Sequence, residues 1–236
     1  MDIAGLHKIF KQSIGVSTDS RKEVKHKIFF ALRGDRFDGN KYVKEVLEAG
    51  AEYVVSDSEE YNGLDKVWVV GNALETLQQL ANFHREKWNG IMLAITGSNG
   101  KTTTKELITS VLSIKYTVLS TKGNLNNHIG VPLTLLELGH HDFAVIEMGA
   151  NHQGEIKELC DIAKPDCGLI TNIGKAHLEG FGGIEGVKTG KGELYDFLAQ
   201  NQKMAFIHGD DKDLLSMASE RNMNTYSYGR QKGQDV

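Results

Sequence analysis

Short apolar runs alternate with amphipathic stretches along the whole chain, and this alternation predicts its elements. In the first 88 residues the pattern predicts a helix from Ile3 to Lys11 and a strand from Lys27 to Leu32. A helix from Asn40 to Ala49, closed by Gly50, leads to a strand from Glu52 to Ser56. A strand at Val67 to Val70 then feeds an amphipathic helix from Ala73 to Lys87, whose apolar positions are Leu74, Leu77, Leu80, Ala81 and Phe83. These elements describe a small α/β domain over residues 1–88, ending at Trp88-Asn89-Gly90.

Beyond that point apolar runs recur at 91–96, 117–120, 143–148, 168–171 and 204–207, and Thr225 to Tyr228 is strand-like. Helical stretches from Lys101 to Ser113, Glu155 to Ala163 and Gly186 to Ala199 lie between most of them. Such alternation predicts a mostly parallel, doubly wound sheet covered on both faces, occupying residues 89–236. Ligands of such sheets sit at the carboxyl ends of the strands, so candidate chemistry is sought just after each run.

Composition adds limits. The 236 residues are 40% hydrophobic, enough for one large or two modest cores, and no run approaches the roughly 20 apolar residues that span a bilayer. The first 15 residues carry Asp2, Lys8 and Lys11 and read as an amphipathic helix rather than a secretory signal, so the expected compartment is the cytoplasm. A net charge of −4 argues against general nucleic-acid binding, so anionic ligands must be gripped by local groups. Cys160 and Cys167 have neither metal-site spacing nor a disulfide framework and read as small buried residues.

The strongest local signal is Ile91-Met-Leu-Ala-Ile-Thr-Gly-Ser-Asn-Gly-Lys-Thr-Thr-Thr-Lys105, a strand running through a glycine-rich turn into a helix. Gly97 and Gly100 permit backbone angles that aim successive N–H groups at an anion, and the helix start at Lys101 adds its positive dipole end. The Lys101 ammonium reaches terminal phosphates, while the Thr102 hydroxyl is placed for magnesium. This predicts ATP or GTP binding, although the common G-x-x-x-x-G-K-[ST] spacing would need glycine at Ile95. The plainer alternative is a simple strand-to-helix turn.

Three further positions follow strands. Glu147 is an anionic oxygen ligand at a strand end, or else a solvated loop carboxylate or a cap for the helix near Gly154. His177 lies in a glycine-rich stretch, where a lone histidine is commonly structural. Lys188 and Lys191 sit on a helix where lysines normally face solvent. In Gly123-Asn-Leu-Asn-Asn-His-Ile-Gly-Val-Pro132, Asn127 suits a helix cap, which leaves Asn124 and Asn126 unexplained.

Taken together, Thr96-Gly-Ser-Asn-Gly-Lys-Thr-Thr-Thr104, Gly123 to Pro132, Glu147-Met-Gly-Ala-Asn-His-Gln-Gly-Glu155, Asn172-Ile-Gly-Lys-Ala-His-Leu-Glu-Gly-Phe-Gly182 and Lys191-Gly-Glu193 resemble the Mur ligases of peptidoglycan synthesis. Ser17-Thr-Asp-Ser-Arg21 and Phe29-Phe-Ala-Leu-Arg-Gly-Asp-Arg-Phe-Asp-Gly39 resemble that family's uridine-nucleotide-binding domain. The likeness is greatest to the branch that joins D-alanyl-D-alanine to UDP-N-acetylmuramoyl-tripeptide.

The resemblance implies that Gly97, Ser98, Asn99, Gly100, Lys101, Thr102 and Thr103 hold ATP. It makes Thr102 and Glu147 ligands of one Mg2+ and His177 a ligand of a second, and it matches Lys191 to a carbamylated lysine beside the metals. Lys101, His177 and Lys191 would then be catalytic. Ser20 and Arg21 would contact the uridine diphosphate, and Asn126 and Asn127 the amino-sugar peptide. His208 stands where many relatives carry asparagine near the adenine, and Lys175 replaces a common acidic residue.

Members of the family are much longer and carry a third domain. The expectation is therefore a monomeric chain holding the first domain and part of the central one, able to bind the UDP-linked substrate but with little ligase activity alone. Folylpolyglutamate synthase shares the phosphate loop but lacks the Thr-Asp-Ser-Arg segment. A non-catalytic UDP-sugar-binding module would leave Glu147, His177 and Lys191 idle.

Overall fold

The computed structural model describes residues 1–35, 37–174, 178–230 and 233–236. Two compact units emerge, one of Met1–Lys87 with Leu135–Glu137, the other of Trp88–Thr134 with Leu138–Val236.

In the first unit, helix α1 (Ile3–Gln12) precedes β1 (Val16–Ser17), β2 (Ile28–Ala31) and a two-residue hairpin of β3 (Arg33–Gly34) and β4 (Phe37–Asp38). Helix α2 (Val43–Glu48), β5 (Tyr53–Ser56), β6 (Val67–Val69) and α3 (Ala73–Glu86) follow. The sheet has the order β1-β2-β5-β6 with every pairing parallel. Strand β2 is buried along its whole length, because Phe29 and Ala31 pack with Val43, Val46 and Val54 while Ile28 and Phe30 point to the opposite face. Phe29 and Phe30 are both 0% exposed, and burying each such ring contributes about 1.5–3 kcal/mol.

The helix expected from Asn40 to Ala49 begins later than the pattern suggests. Residues Gly39–Tyr42 form a 3-10 turn, and the α-helix starts at Val43. Asn40 is buried and committed elsewhere: its N–H and side-chain amide donate to Asp38, its amide also to Asp57, and its carbonyl oxygen accepts from Ser56. A side chain tied into that network draws the chain into a tight turn before the helix can propagate.

In the second unit β7 (Ile91–Thr96) leads to α4 (Lys101–Leu112), β8 (Val118–Ser120), α5 (Gly130–Leu135), β9 (Phe143–Glu147) and α6 (Glu155–Ala163). There follow β10 (Cys167–Ile170), α7 (Leu178–Phe181), α8 (Ile184–Gln200), β11 (Met204–His208), α9 (Lys212–Ser219) and β12 (Asn224–Tyr228). The sheet order is β12-β11-β10-β7-β9-β8, all parallel. Ile108 and Leu112 of α4 pack on Leu93, Ile95, Val145 and Leu169, and Leu194 of α8 lies against Gly168. The doubly wound α/β architecture expected from the pattern is therefore present.

Strand order reverses at β7, with β9 on one side and β10 on the other. At such a switch point the loops leaving neighbouring strands diverge and open a crevice. The register sets Ile95 opposite Glu147 and Thr96 opposite Ile170, so the exits of β7, β9 and β10 lie level. Among the described residues no helix is long and apolar enough to cross a membrane.

Candidate active site

The turn after β7 has the backbone its glycines were expected to allow. Gly97 takes φ +140° and Gly100, the N-cap of α4, takes φ +78°. A Cβ on Gly97 would lie 2.0 Å from Thr171 Oγ1, so no other residue fits there.

The amides of this turn divide into two groups. Ser98 N–H donates to the Asn172 carbonyl (3.0 Å) and Asn99 N–H to Asn172 Oδ1 (3.1 Å), because parallel pairing of β7 with β10 runs Asn172 alongside. These two amides fasten the turn to Asn172, just past the end of β10. The N–H groups of Lys101, Thr102 and Thr103, in the first turn of α4, have no acceptor within the helix and are the ones open to phosphate. Ser98 Oγ and the Gly174 backbone exchange hydrogen bonds across the same gap, and Thr171 Oγ1 and Asn172 Nδ2 both donate to Asn99 O. Asn172 is an anchor of this turn that the loop motif by itself does not identify.

Lys101 Nζ arches over the turn and donates to Gly97 O (2.8 Å) and Ser98 O (3.3 Å). Burial lowers its pKa, and the Glu147 carboxylate opposes that shift. Thr102 Oγ1 donates to Glu147 Oε2 at 2.9 Å, and Asn126 Nδ2 donates to Glu147 Oε1 at 2.8 Å. Glu147 is 2% exposed and is held by two neutral donors, a setting that suits a hard divalent cation with few protein ligands and phosphate oxygens to complete its shell. The donor set therefore fits magnesium. Glu147 does not cap the helix near Gly154; Glu193 of α8 does, accepting from the N–H groups of Gly154 and Lys157.

Lys191 leaves the solvent face assumed for helical lysines and is only 3% exposed. Its Nζ donates to Ala150 O at 3.2 Å and lies 5.1 Å from the Phe181 ring centroid. Burial, with a smaller contribution from the Lys101 charge and against Glu155 and Glu193, pushes its pKa down to about 8. Lys188 by contrast stays on the outer face, paired with Asp213 and Glu185.

The remaining sequence candidates are dispersed. Asn127 Oδ1 accepts from Ile129 N–H and Gly130 N–H and so acts as the cap of α5. Asn126, expected on the sugar-peptide, is engaged with Glu147. In the first unit Arg21 is exposed and forms a two-pronged pair with Asp19 (2.8 and 2.9 Å), which holds that carboxyl down at about 2, while Ser20 is half-buried beside it. His208 stacks on Tyr228 at 5.4 Å between centroids. His177 and Lys175 lie outside the described residues. Burial raises both thiols, Cys167 to about 11; Cys160 is buried as expected, while Cys167 is only half-buried.

The Mur ligase middle-domain model matches residues 95–236, and that of the Mur ligase family catalytic domain matches residues 14–92. UDP-N-acetylmuramoyl-tripeptide–D-alanyl-D-alanine ligase of Bacillus subtilis is 40% identical, over 91% of this chain and 47% of its own length. The Haemophilus influenzae ligase of the same name is 46% identical, over 90% and 48%. Among solved structures, MurF from Acinetobacter baumannii superposes with a TM-score of 0.87 at 34% identity, covering 99% of this chain and 54% of that one. The MurF ligase of Thermotoga maritima in complex with ADP gives 0.85 at 32%, covering 94% and 51%. The chain thus spans about half the length of the relatives it matches. The family models alone cover most of its residues, and the chain belongs to the Mur ligase family.

Proposed function

We propose that this chain carries the UDP-substrate and ATP-binding parts of a cytoplasmic, monomeric ligase that adds D-alanyl-D-alanine to UDP-N-acetylmuramoyl-tripeptide in peptidoglycan precursor synthesis. The observation that carries the reading is the Thr102–Glu147 contact of 2.9 Å beside the Lys101 turn, a hydroxyl and a carboxylate poised where the metal of a nucleotide triphosphate needs oxygen. The names of the relatives and the ADP complex of one of them support the same reading.

In this reading the first-turn amides of α4 and the Lys101 ammonium bind the β- and γ-phosphates, with Lys101 exchanging its Gly97 and Ser98 carbonyl partners for phosphate oxygen. Magnesium held by Thr102 and Glu147 would supply neutralisation of phosphate charge as the terminal phosphoryl approaches the substrate carboxylate. Lys191, carbamylated, would present an oxygen anion in place of an ammonium, and a buried amine whose pKa lies near 8 is unusually open to that reaction. His177 is assigned a second magnesium by resemblance alone. The peptide carboxylate attacks the γ-phosphorus with ADP leaving; the D-alanyl-D-alanine amine then attacks the acyl phosphate, releasing phosphate and forming the amide. Ser20 and Arg21 hold the uridine diphosphate and Asn127 the sugar-peptide, with Asn126 dividing its amide between Glu147 and substrate.

Calorimetric titration tests the reading. Wild type is expected to bind UDP-N-acetylmuramoyl-tripeptide and, separately, Mg-ATP, and Arg21→Ala to lose the first while keeping its melting temperature, since its ion pair is exposed. Equal affinity for unrelated nucleotide sugars would refute the substrate assignment.

A further inference from the structure

Among the described residues of the second unit three charged side chains are buried, namely Lys105, Glu147 and Lys191. Two belong to the candidate active site. The third, Lys105, is 1% exposed and was not singled out by any motif. Sitting one helical turn beyond Lys101 on α4, it donates to Thr121 O at the exit of β8, and its ion-pair partner Glu106 is largely exposed. A buried lysine ammonium held by one carbonyl and one largely exposed carboxylate is a costly device, since a solvent-screened partner and one neutral hydrogen bond repay little of the desolvation. An apolar residue with a water, or a shorter polar one, would serve a merely structural need.

Thr121 is itself 1% exposed and leads directly to the metal-binding carboxylate. Its N–H donates to Val145 O, and its Oγ1 accepts the Glu147 N–H at 2.9 Å. Five residues on, Asn126 returns to the same strand end, giving its side-chain amide to Glu147 Oε1 and its carbonyl to Gly149 N–H (2.8 Å). The segment from Thr121 to Asn126 is therefore pinned at both ends to the residues around Glu147, and Lys105 is the charged post at its first end.

We propose that Lys105 is a positioning residue for the divalent cation: by fixing Thr121 it holds the backbone of Glu147, and hence its carboxylate, in the orientation that receives metal beside Thr102. This rests on the reading of the Lys101 turn as a nucleotide-phosphate site. Phosphate binding by the α4 amides and Lys101 does not pass through Thr121, whereas the metal's contribution does. Loss of Lys105 should thus weaken binding only where the cation takes part.

The test is calorimetric titration of the whole chain with ATP in magnesium and, separately, in EDTA. In Lys105→Met the affinity in EDTA is expected to stay within twofold of wild type, while the gain conferred by magnesium falls about tenfold, as expected for one misplaced ligand. Lys105→Arg restores part of that gain. Where Lys105→Met does not fold, Thr121→Val, which removes the hydroxyl that takes the Glu147 N–H, should show the same selective loss, and Thr121→Ser should not. Equal weakening with and without magnesium, or an undiminished magnesium gain in Lys105→Met or Thr121→Val, overturns the proposal. Absence of any ATP binding by wild type overturns the phosphate-site reading beneath it as well, so the two failures are told apart.

Discussion

His7 of α1 and His84 of α3 meet inside the first unit, with Nε2 and Nδ1 3.0 Å apart and the residues 8% and 7% exposed. The Phe10 and Phe83 rings pack against the His7 imidazole at 5.9 and 5.1 Å between centroids. Burial pushes the His7 pKa down from 6.5 to about 4, with His84, Lys87 and Lys11 adding to the shift. Because the folded value lies below the unfolded one, the unfolded chain takes up the proton first. The stability tied to neutral His7 is complete above pH 6.5 and is lost as pH falls toward 4. Its full size is at most about 3 kcal/mol, of which about 2 kcal/mol is lost between pH 7 and pH 5. That is a large share of a domain stability on the order of 5–15 kcal/mol.

Replacing His7 by Gln keeps an amide able to donate to or accept from His84 and removes the His7 titration. Native-state hydrogen exchange of the α3 amides at the two pH values reports the opening free energy of this unit. Wild type should lose about 2 kcal/mol more than His7→Gln on going from pH 7 to pH 5, because titrations of groups that do not touch His7 are shared and cancel. Equal losses in the two proteins would refute the account, as would a His7 titration midpoint near 6.5 followed by nuclear magnetic resonance.

Two other changes probe the second unit. Gly97→Ala, which needs φ +140° and drives a methyl into Thr171 Oγ1, should lower stability by about 3 kcal/mol or more and lower the thermal midpoint accordingly; an unchanged midpoint contradicts the backbone argument. Incubation with carbon-13 bicarbonate should give a carbamate resonance in wild type that is missing from Lys191→Arg, and identical spectra would remove Lys191 from its assigned role.

The parts of the site that sequence revealed are those written in local backbone chemistry. Gly97, Gly100 and Lys101-Thr102 announce a phosphate turn because glycine at positive φ and a helix start are properties of adjacent residues. Glu147 was legible as a strand-end carboxylate through the general rule for parallel sheets, but its partnership with Thr102 depends on the register of Ile95 with Glu147, which no local pattern encodes. Lys105 and Glu193 look like ordinary solvent-face residues of helices, and only tertiary packing shows one buried and the other capping α6. Asn40 misled in the opposite way, since its helical surroundings concealed a buried amide network reaching to Asp57. Strands of two residues, such as β1, β3 and β4, are too short to carry a periodic signal.

The level exits of β7, β9 and β10 have a kinetic consequence. Thr96 Oγ1 bonds to Met148 O across 52 positions of chain, and Ser98 Oγ to Gly174 O across 76. Closing such distant segments costs chain entropy before any contact repays it, so pocket assembly belongs to the late, slow part of folding. A ribosome-bound chain that has not yet exposed the loop after β10 would lack the Asn172 and Gly174 contacts that fasten the phosphate turn. In the proposed reading, a bound nucleotide would selectively stabilise chains in which β10 has already paired with β7.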